Sequence, residues 1–258
     1  MIDFSILLPA FITGVLVLLT HVPLGQRVLQ RGIIFIDLAL AQIAGLGIVL
    51  AFVLGFEPHG YGVQIVATSS ALLGAGMLYL LEQYFSQVLE ALIGLVFILA
   101  ATAVALLVFH QPQGAHEVDT LLNGQILWVN YQQLLPVGVL YALVLLLWFM
   151  PWWRSQRFKF YSLFALSVTA SVQLVGVYLV FASLIIPALA VRRCERHAIK
   201  WGYFIGLVGY LLGITGSALF DLPTGPLIVW SLLATGGLFK VFDILRARFP
   251  SQLESRRA

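Results

Sequence analysis

Two polar side chains interrupt an otherwise apolar run, Phe35-Ile36-Asp37-Leu38-Ala39-Leu40-Ala41-Gln42-Ile43-Ala44-Gly45. An ionisable residue inside such a run is costly, so Asp37 is by default a functional candidate. Gln42 stands five positions further on, about 500° around an ideal helix and so roughly 140° away from the direction of Asp37. The two share a face only if the helix carries a π-bulge. A structural reading competes: Asp37 paired with Arg31 near the membrane boundary, and Gln42 bonded to a neighbouring helix. A second donor set lies in 110–130, where His110, His116, Glu117 and Asp119 cluster. His116 and Asp119, three apart, would meet on a helix. They could gather a metal ion or contact a partner, or simply sit in a solvated loop. Glu57 and His59 flank Pro58 as a weaker pair, and His21 reads as a hydrogen-bonded packing residue.

Other chemistries find little support. No G-x-x-x-x-G-K-[ST] is present, so the chain should not hydrolyse ATP itself. No H-E-x-x-H is present, which argues against a zinc membrane protease. No Ser-His or Cys-His pairing stands out. Cys194 is the single cysteine, so no disulfide framework forms within the chain, and it reads as an unreactive thiol.

The elements that must position these residues are membrane helices. The chain has 258 residues, 61% hydrophobic and only 10% charged, whereas soluble domains have about 45–50% apolar and about 25% charged residues. Apolar segments fall at about 4–22, 33–54, 62–81, 91–109, 132–150, 160–176, 177–191, 201–219 and 225–242, and most are long enough to cross ~30 Å of hydrocarbon as helices. No ~10-residue alternating segments suggest a barrel. The predicted class is an all-α polytopic bundle of eight or nine membrane segments. Residues 1–245 read as one transmembrane domain and 246–258 as a cytoplasmic tail. The N-terminus reads as part of the first span rather than a removed signal peptide.

All 14 Lys and Arg fall on one face if every segment crosses, which predicts a cytoplasmic C-terminus and an external N-terminus. The basic balance therefore reflects topology, not nucleic acid. This count requires 160–191 to go out and return in fewer than the ~40 residues that two full spans need. The segment 177–191 therefore reads as short or re-entrant, entered at Gly176 and interrupted by Pro187. Irregular backbone at membrane depth survives only inside protein or along a cavity, so this pair is a pathway candidate. Gly202, Gly206, Gly209, Gly213 and Gly216 form one glycine stripe suited to close helix approach. Asp221, with Pro223 and Gly225, reads as turn chemistry.

Several stretches, in order, carry a resemblance: "PLGQRVLQRGIIFIDLALAQIAGLG" (23–47), "LEALIGLVF" (89–97), "LLNGQILWV" (121–129), "LVGVYLVFASLIIPALAVRR" (174–193) and "FDLPTGPLIV" (220–229). Together they resemble the permease subunit of bacterial zinc/manganese/iron ABC importers over essentially the whole chain. The resemblance implies a homodimer enclosing a central path across the inner membrane. It also implies a cytoplasmic pair of ATP-binding subunits, an external or lipid-anchored metal-binding protein, and no permanently bound cofactor, the divalent ion being cargo. The ATPase-coupling segment would be 192–200, with Arg192, Arg193, Glu195, Arg196, His197 and Lys200. Members of that family usually carry Asp and His four apart on the second helix. Here Asp37 is kept, but Ala41 stands four on, so Gln42 replaces the histidine only if one residue is inserted. An amide carbonyl is a weaker zinc ligand than imidazole. Rival readings are a permease for a metal-chelate or vitamin, an ATP-independent secondary ion transporter, and an intramembrane enzyme.

Overall fold

The computed structural model describes residues 4–56, 60–109, 120, 122–150, 157–194 and 197–248. Among these the regular secondary structure is all helix, with no strand. The described residues form nine α-helices, in order α1 Phe4–Arg31, α2 Ile36–Val53, α3 Tyr61–Tyr84, α4 Leu89–Val108, α5 Tyr131–Phe149, α6 Arg157–Val175, α7 Val177–Ala190, α8 Ala198–Phe220 and α9 Thr224–Arg248. Eight are long and apolar enough to cross a membrane, and α7 is the short one. Leu73, Leu106, Leu135 and Leu238 stand largely exposed on the outside of the bundle. In water such a surface would aggregate; against acyl chains it costs nothing. The all-α multi-pass architecture read from the sequence is the one observed.

Helix bounds differ from the apolar segments in an instructive way. Hydropathy fades after Val22, yet α1 continues through Pro23 to Arg31. Its last turns are covered by protein, with Leu24 and Val28 fully buried. The helix stops at Gly32, whose φ of +72° closes it. The amides of Gly32 and Ile33 both donate to the Val28 carbonyl, a left-handed C-terminal cap.

The centre of the bundle is built from α1, α2, α6 and α7, with α8 and α9 packed on one flank and α3 and α4 on the other. Polar side chains in this core bond back along their own helices. Thr13 donates to the Pro9 carbonyl, Ser167 to Leu163 and Ser171 to Ser167. Neighbouring helices are tied by Tyr141 and Ser171 at 2.5 Å, and by Tyr210 and Ser183 at 2.8 Å. Ser183 gives its own proton to the Leu179 carbonyl, so the Tyr210 hydroxyl is the donor in that pair.

The glycine stripe of α8 is shared between two partners. A Cβ on Gly202 or Gly206 would meet Val22 at 2.8 Å or Leu18 at 2.5 Å, both on α1. A Cβ on Gly209 or Gly213 would meet Leu232 at 2.6 Å or Ile228 at 2.5 Å, both on α9. One glycine face thus allows close contact with α1 along the first half of α8 and with α9 along the second.

The α6–α7 junction is a close backbone contact. Gly176 has φ +80° and ψ 164°, a region essentially confined to glycine. A Cβ there would fall 2.6 Å from the carbonyl carbon of Asn123, and one on Gly225 would fall 2.7 Å from the Asn123 oxygen. The Asn123-Gly124 segment therefore lies against both the α6–α7 turn and the start of α9. From that turn α7 runs 14 residues, about 21 Å. It continues unbroken through Pro187, which stands one turn from its end.

Gly176→Ala should lower stability by about 2 kcal/mol or more through backbone strain alone, a fall of roughly 4–8 °C in apparent Tm. Gly138→Ala in α5, with no heavy atom within 4 Å of the added Cβ, should be neutral or slightly stabilising. Thermal melts in detergent compare the two; equal effects would refute the account of the junction.

Candidate functional site

The first turn of α2 is set by its entry. Four residues, 32–35, separate it from α1. The Phe35 amide donates to Glu90 Oε1 at 3.3 Å, from the first turn of α4. The Phe35 ring stacks on Phe181 of α7, with centroids 6.4 Å apart and planes 5° apart. Asp37 is therefore the second residue of its helix, in the first turn rather than well inside the span. An acid here complements the helix dipole, typically by 0.3–1 kcal/mol.

The dipole alone does not explain its burial. Asp37 is 1% exposed and is the only fully buried acid among the described residues. Neither carboxyl oxygen has a hydrogen-bond partner. The amides of Asp37 and Leu38 lie nearby, but not in hydrogen-bonding geometry. Nor does Arg31 serve it: the Arg31 guanidinium is 3.7 Å from Glu82 of α3 and 4.3 Å above the Phe160 ring of α6. The structural pairing of Asp37 with Arg31 is thereby replaced by an α1–α3–α6 cluster.

Gln42 is also buried, at 4% exposure. The helix is regular α from Ile36 to Val53, without a π-bulge, so Asp37 and Gln42 point about 140° apart. No group of three or more His, Cys, Asp or Glu could hold a metal ion among the described residues. His110, His116 and Asp119 lie outside the described residues, as do Glu57 and His59. His21 is fully buried; its Nδ1 is 2.9 Å from the Val17 carbonyl, and its Nε2 has no partner.

The connection from α7 to α8 is polar and outward. Arg192 and Arg193 are exposed in a turn, His197 is exposed at φ +64°, and Lys200 is exposed in the first turn of α8; Glu195 and Arg196 lie outside the described residues. Burial and the nearby Asp243 push the Cys194 thiol up, against a smaller opposing effect of Lys240. Thiolate chemistry is correspondingly disfavoured. Pro187 is buried in α7 and Gly176 at its start. Sequence reasoning missed Glu82 and Glu90, which hold the two ends of the α1–α2 turn. Each is an acid at a helix end, and only that placement could have marked them.

An Asp37→Asn substitution separates a structural carboxylate from an unsatisfied one. Removing one partner of a buried ion pair costs about 3–5 kcal/mol. With no partner to lose, Asp37→Asn should leave the apparent Tm unchanged or raise it. A large fall in a detergent melt would show that a charge partner had gone unrecognised.

Comparison with known proteins gives concordant results. The high-affinity zinc uptake system membrane protein ZnuB of Haemophilus influenzae is 27% identical over 255 residues, covering 88% of this chain and 93% of its own. Among solved structures, PsaBC from Streptococcus pneumoniae in complex with Fab aligns with a TM-score of 0.73 at 21% identity, covering 92% of this chain and 91% of that one. An inward-facing structure described as a metal-chelate type ABC transporter aligns with a TM-score of 0.69 at 20% identity, covering 92% and 85%. At these identities the two structures speak to fold. The ABC 3 transport family matches residues 3–156 and 153–240. With a match over nearly the whole membrane bundle, this chain belongs to the ABC 3 transport family.

Proposed function

We propose that this chain is the membrane permease of an ABC importer for a divalent metal ion, with zinc as the first candidate and manganese or iron as alternatives. The observation that carries the reading is Asp37: a fully buried carboxylate with both oxygens unpartnered, in a chain of this transport family. The zinc-uptake relative supports the choice of cargo. A lone carboxylate offers at most two oxygens to an ion that prefers four ligands. Further donors would come from a second copy of the chain, from a partner protein or from water. Such incomplete coordination suits an ion that must leave as readily as it enters.

In this reading two copies of the chain enclose the path, with the N-terminus outside and the C-terminus cytoplasmic. A pair of ATP-binding subunits meets the 192–200 segment through Arg192, Arg193, His197 and Lys200, all four exposed. A metal-binding protein delivers the ion on the opposite side. ATP hydrolysis on the partner subunits displaces the segment and alternates access. This chain contributes the path and no ATPase motif. Gln42 and the 110–119 donors are candidate secondary contacts.

The test is metal uptake in cells lacking their own high-affinity importers, supplied with this chain, its ATP-binding subunit and its binding protein. Native cells should accumulate one of zinc, manganese or iron. Asp37→Asn should reduce that uptake at least tenfold with membrane levels unchanged, the loss of ~1.4 kcal/mol or more of interaction in transit. Undiminished uptake in the variant would return Asp37 to a helix-dipole role. No uptake of any bare ion would favour a metal-chelate cargo instead.

A further inference from the structure

A cavity of about 160 Å³ opens where α1, α5 and α8 meet. None of its wall comes from α2. Its polar side is Gln26, Arg27 and Gln30 of α1; its apolar side includes Pro23, Trp148 of α5 and Ile199 of α8. At about 30 Å³ per water, the space suits a group the size of a phosphate.

The wall is rich in donors and contains no acid. Arg27 Nη1 donates to Gln30 Oε1 at 3.3 Å, which steadies the guanidinium and leaves its remaining N–H groups available. Gln26 Nε2 is buried and donates to nothing. A buried donor left unsatisfied costs about 1–3 kcal/mol, a penalty that an arriving acceptor would remove. The position is equally informative. Arg27 lies four residues before the end of α1, about 6 Å along the axis. Trp148 is the penultimate residue of α5. Arginine and tryptophan at helix ends are residues of the membrane boundary. Phe149 of α5 also lines the cavity, and Leu146 and Leu143, three and six residues before it on the same ridge, are exposed and apolar and can carry an acyl chain.

We infer that the α1–α5–α8 cavity binds the phosphate of an anionic phospholipid headgroup through Arg27 and Gln26, with its chains laid along α5. Basic pockets between membrane helices recognise anionic headgroups by this chemistry. The occupant would bridge α1 to the first turn of α8, beside exposed Lys200 at the end of the 192–200 segment. The inference does not depend on which ion the chain moves.

The test is native mass spectrometry of the purified full-length chain, delipidated and offered phosphatidylglycerol and phosphatidylcholine at equal concentration. One phosphatidylglycerol should be retained in preference. Arg27→Gln should weaken that retention about fivefold, the effect of one cation at ~1 kcal/mol, and Arg27→Lys should restore part of it. Gln26→Leu, which keeps every charge, should also weaken it. Arg157→Gln, a cation at the same end but outside the cavity, should not. A detergent melt of each variant identifies misfolding; if Arg27→Gln misfolds, Gln26→Leu and Arg27→Lys decide. Equal retention of both lipids, or equal loss with Arg157→Gln, would overturn the site. Displacement by inorganic phosphate as effective as by phosphatidylglycerol would make it a soluble-anion site and refute the lipid. Expulsion of the lipid when the ATP-binding subunit is added would assign the cavity to a protein interface instead.

Discussion

Backbone amides and carbonyls cannot be left open in hydrocarbon, and the break between α6 and α7 is where this chain meets that constraint most directly. A helix pair interrupted at Gly176 exposes polar backbone near the end of the bundle, so it has to be covered by protein. The cover is the Asn123-Gly124 segment, pressed against Gly176 and Gly225 so closely that a single Cβ would not fit. With the break sealed, α7 can be short and still lie in the core, flanked by α1, α8 and α9. The rest of the central packing follows from where α7 sits, including the Phe181 ring that Phe35 meets at the start of α2.

The acids and arginines around that start are arranged unequally. Glu82 answers Arg31, and Glu90 answers the Phe35 amide. Asp37, two residues after Phe35, is buried and answered by neither. Native structures seldom leave a buried polar group unsatisfied without a reason such as strain, an absent ion or function. The α1–α2 turn is thus held at both flanks, while the buried carboxylate beside it is held at none. A site for a transient cation needs that combination of rigid surroundings and unspent ligand capacity.

Much of the architecture was legible in the residues. The number of membrane segments, the all-α class and the short 177–191 helix all follow from hydropathy. What could not be read depended on distant contacts. The last nine residues of α1 look like a loop by hydropathy, because protein rather than lipid covers Leu24 and Val28. Arg31 had a plausible partner six residues away and found one 51 residues away. Asp37 and Gln42 were visible as polar intrusions, but their separation on the helix depended on the absence of a π-bulge. The "LLNGQILWV" stretch was recognisable by resemblance, yet nothing in its local chemistry pointed to Gly176 or Gly225.

The α8 glycine face carries an evolutionary consequence. Its contacts with α1 are locks between one missing side chain and one present, Gly202 with Val22 and Gly206 with Leu18, whereas Gly213 meets the Ile228 backbone itself. Gly14 and Tyr210 repeat the arrangement with the roles reversed, the tyrosine on α8 filling the space above a glycine on α1. The space at each such position is shared by the two residues rather than owned by either. A methyl gained at Gly202 or Gly206 would need bulk surrendered at Val22 or Leu18 on α1, while one gained at Gly213 would need the α9 backbone to move. Substitutions at the α1-facing glycines should therefore be inherited as pairs, while Gly213 should admit no compensating partner.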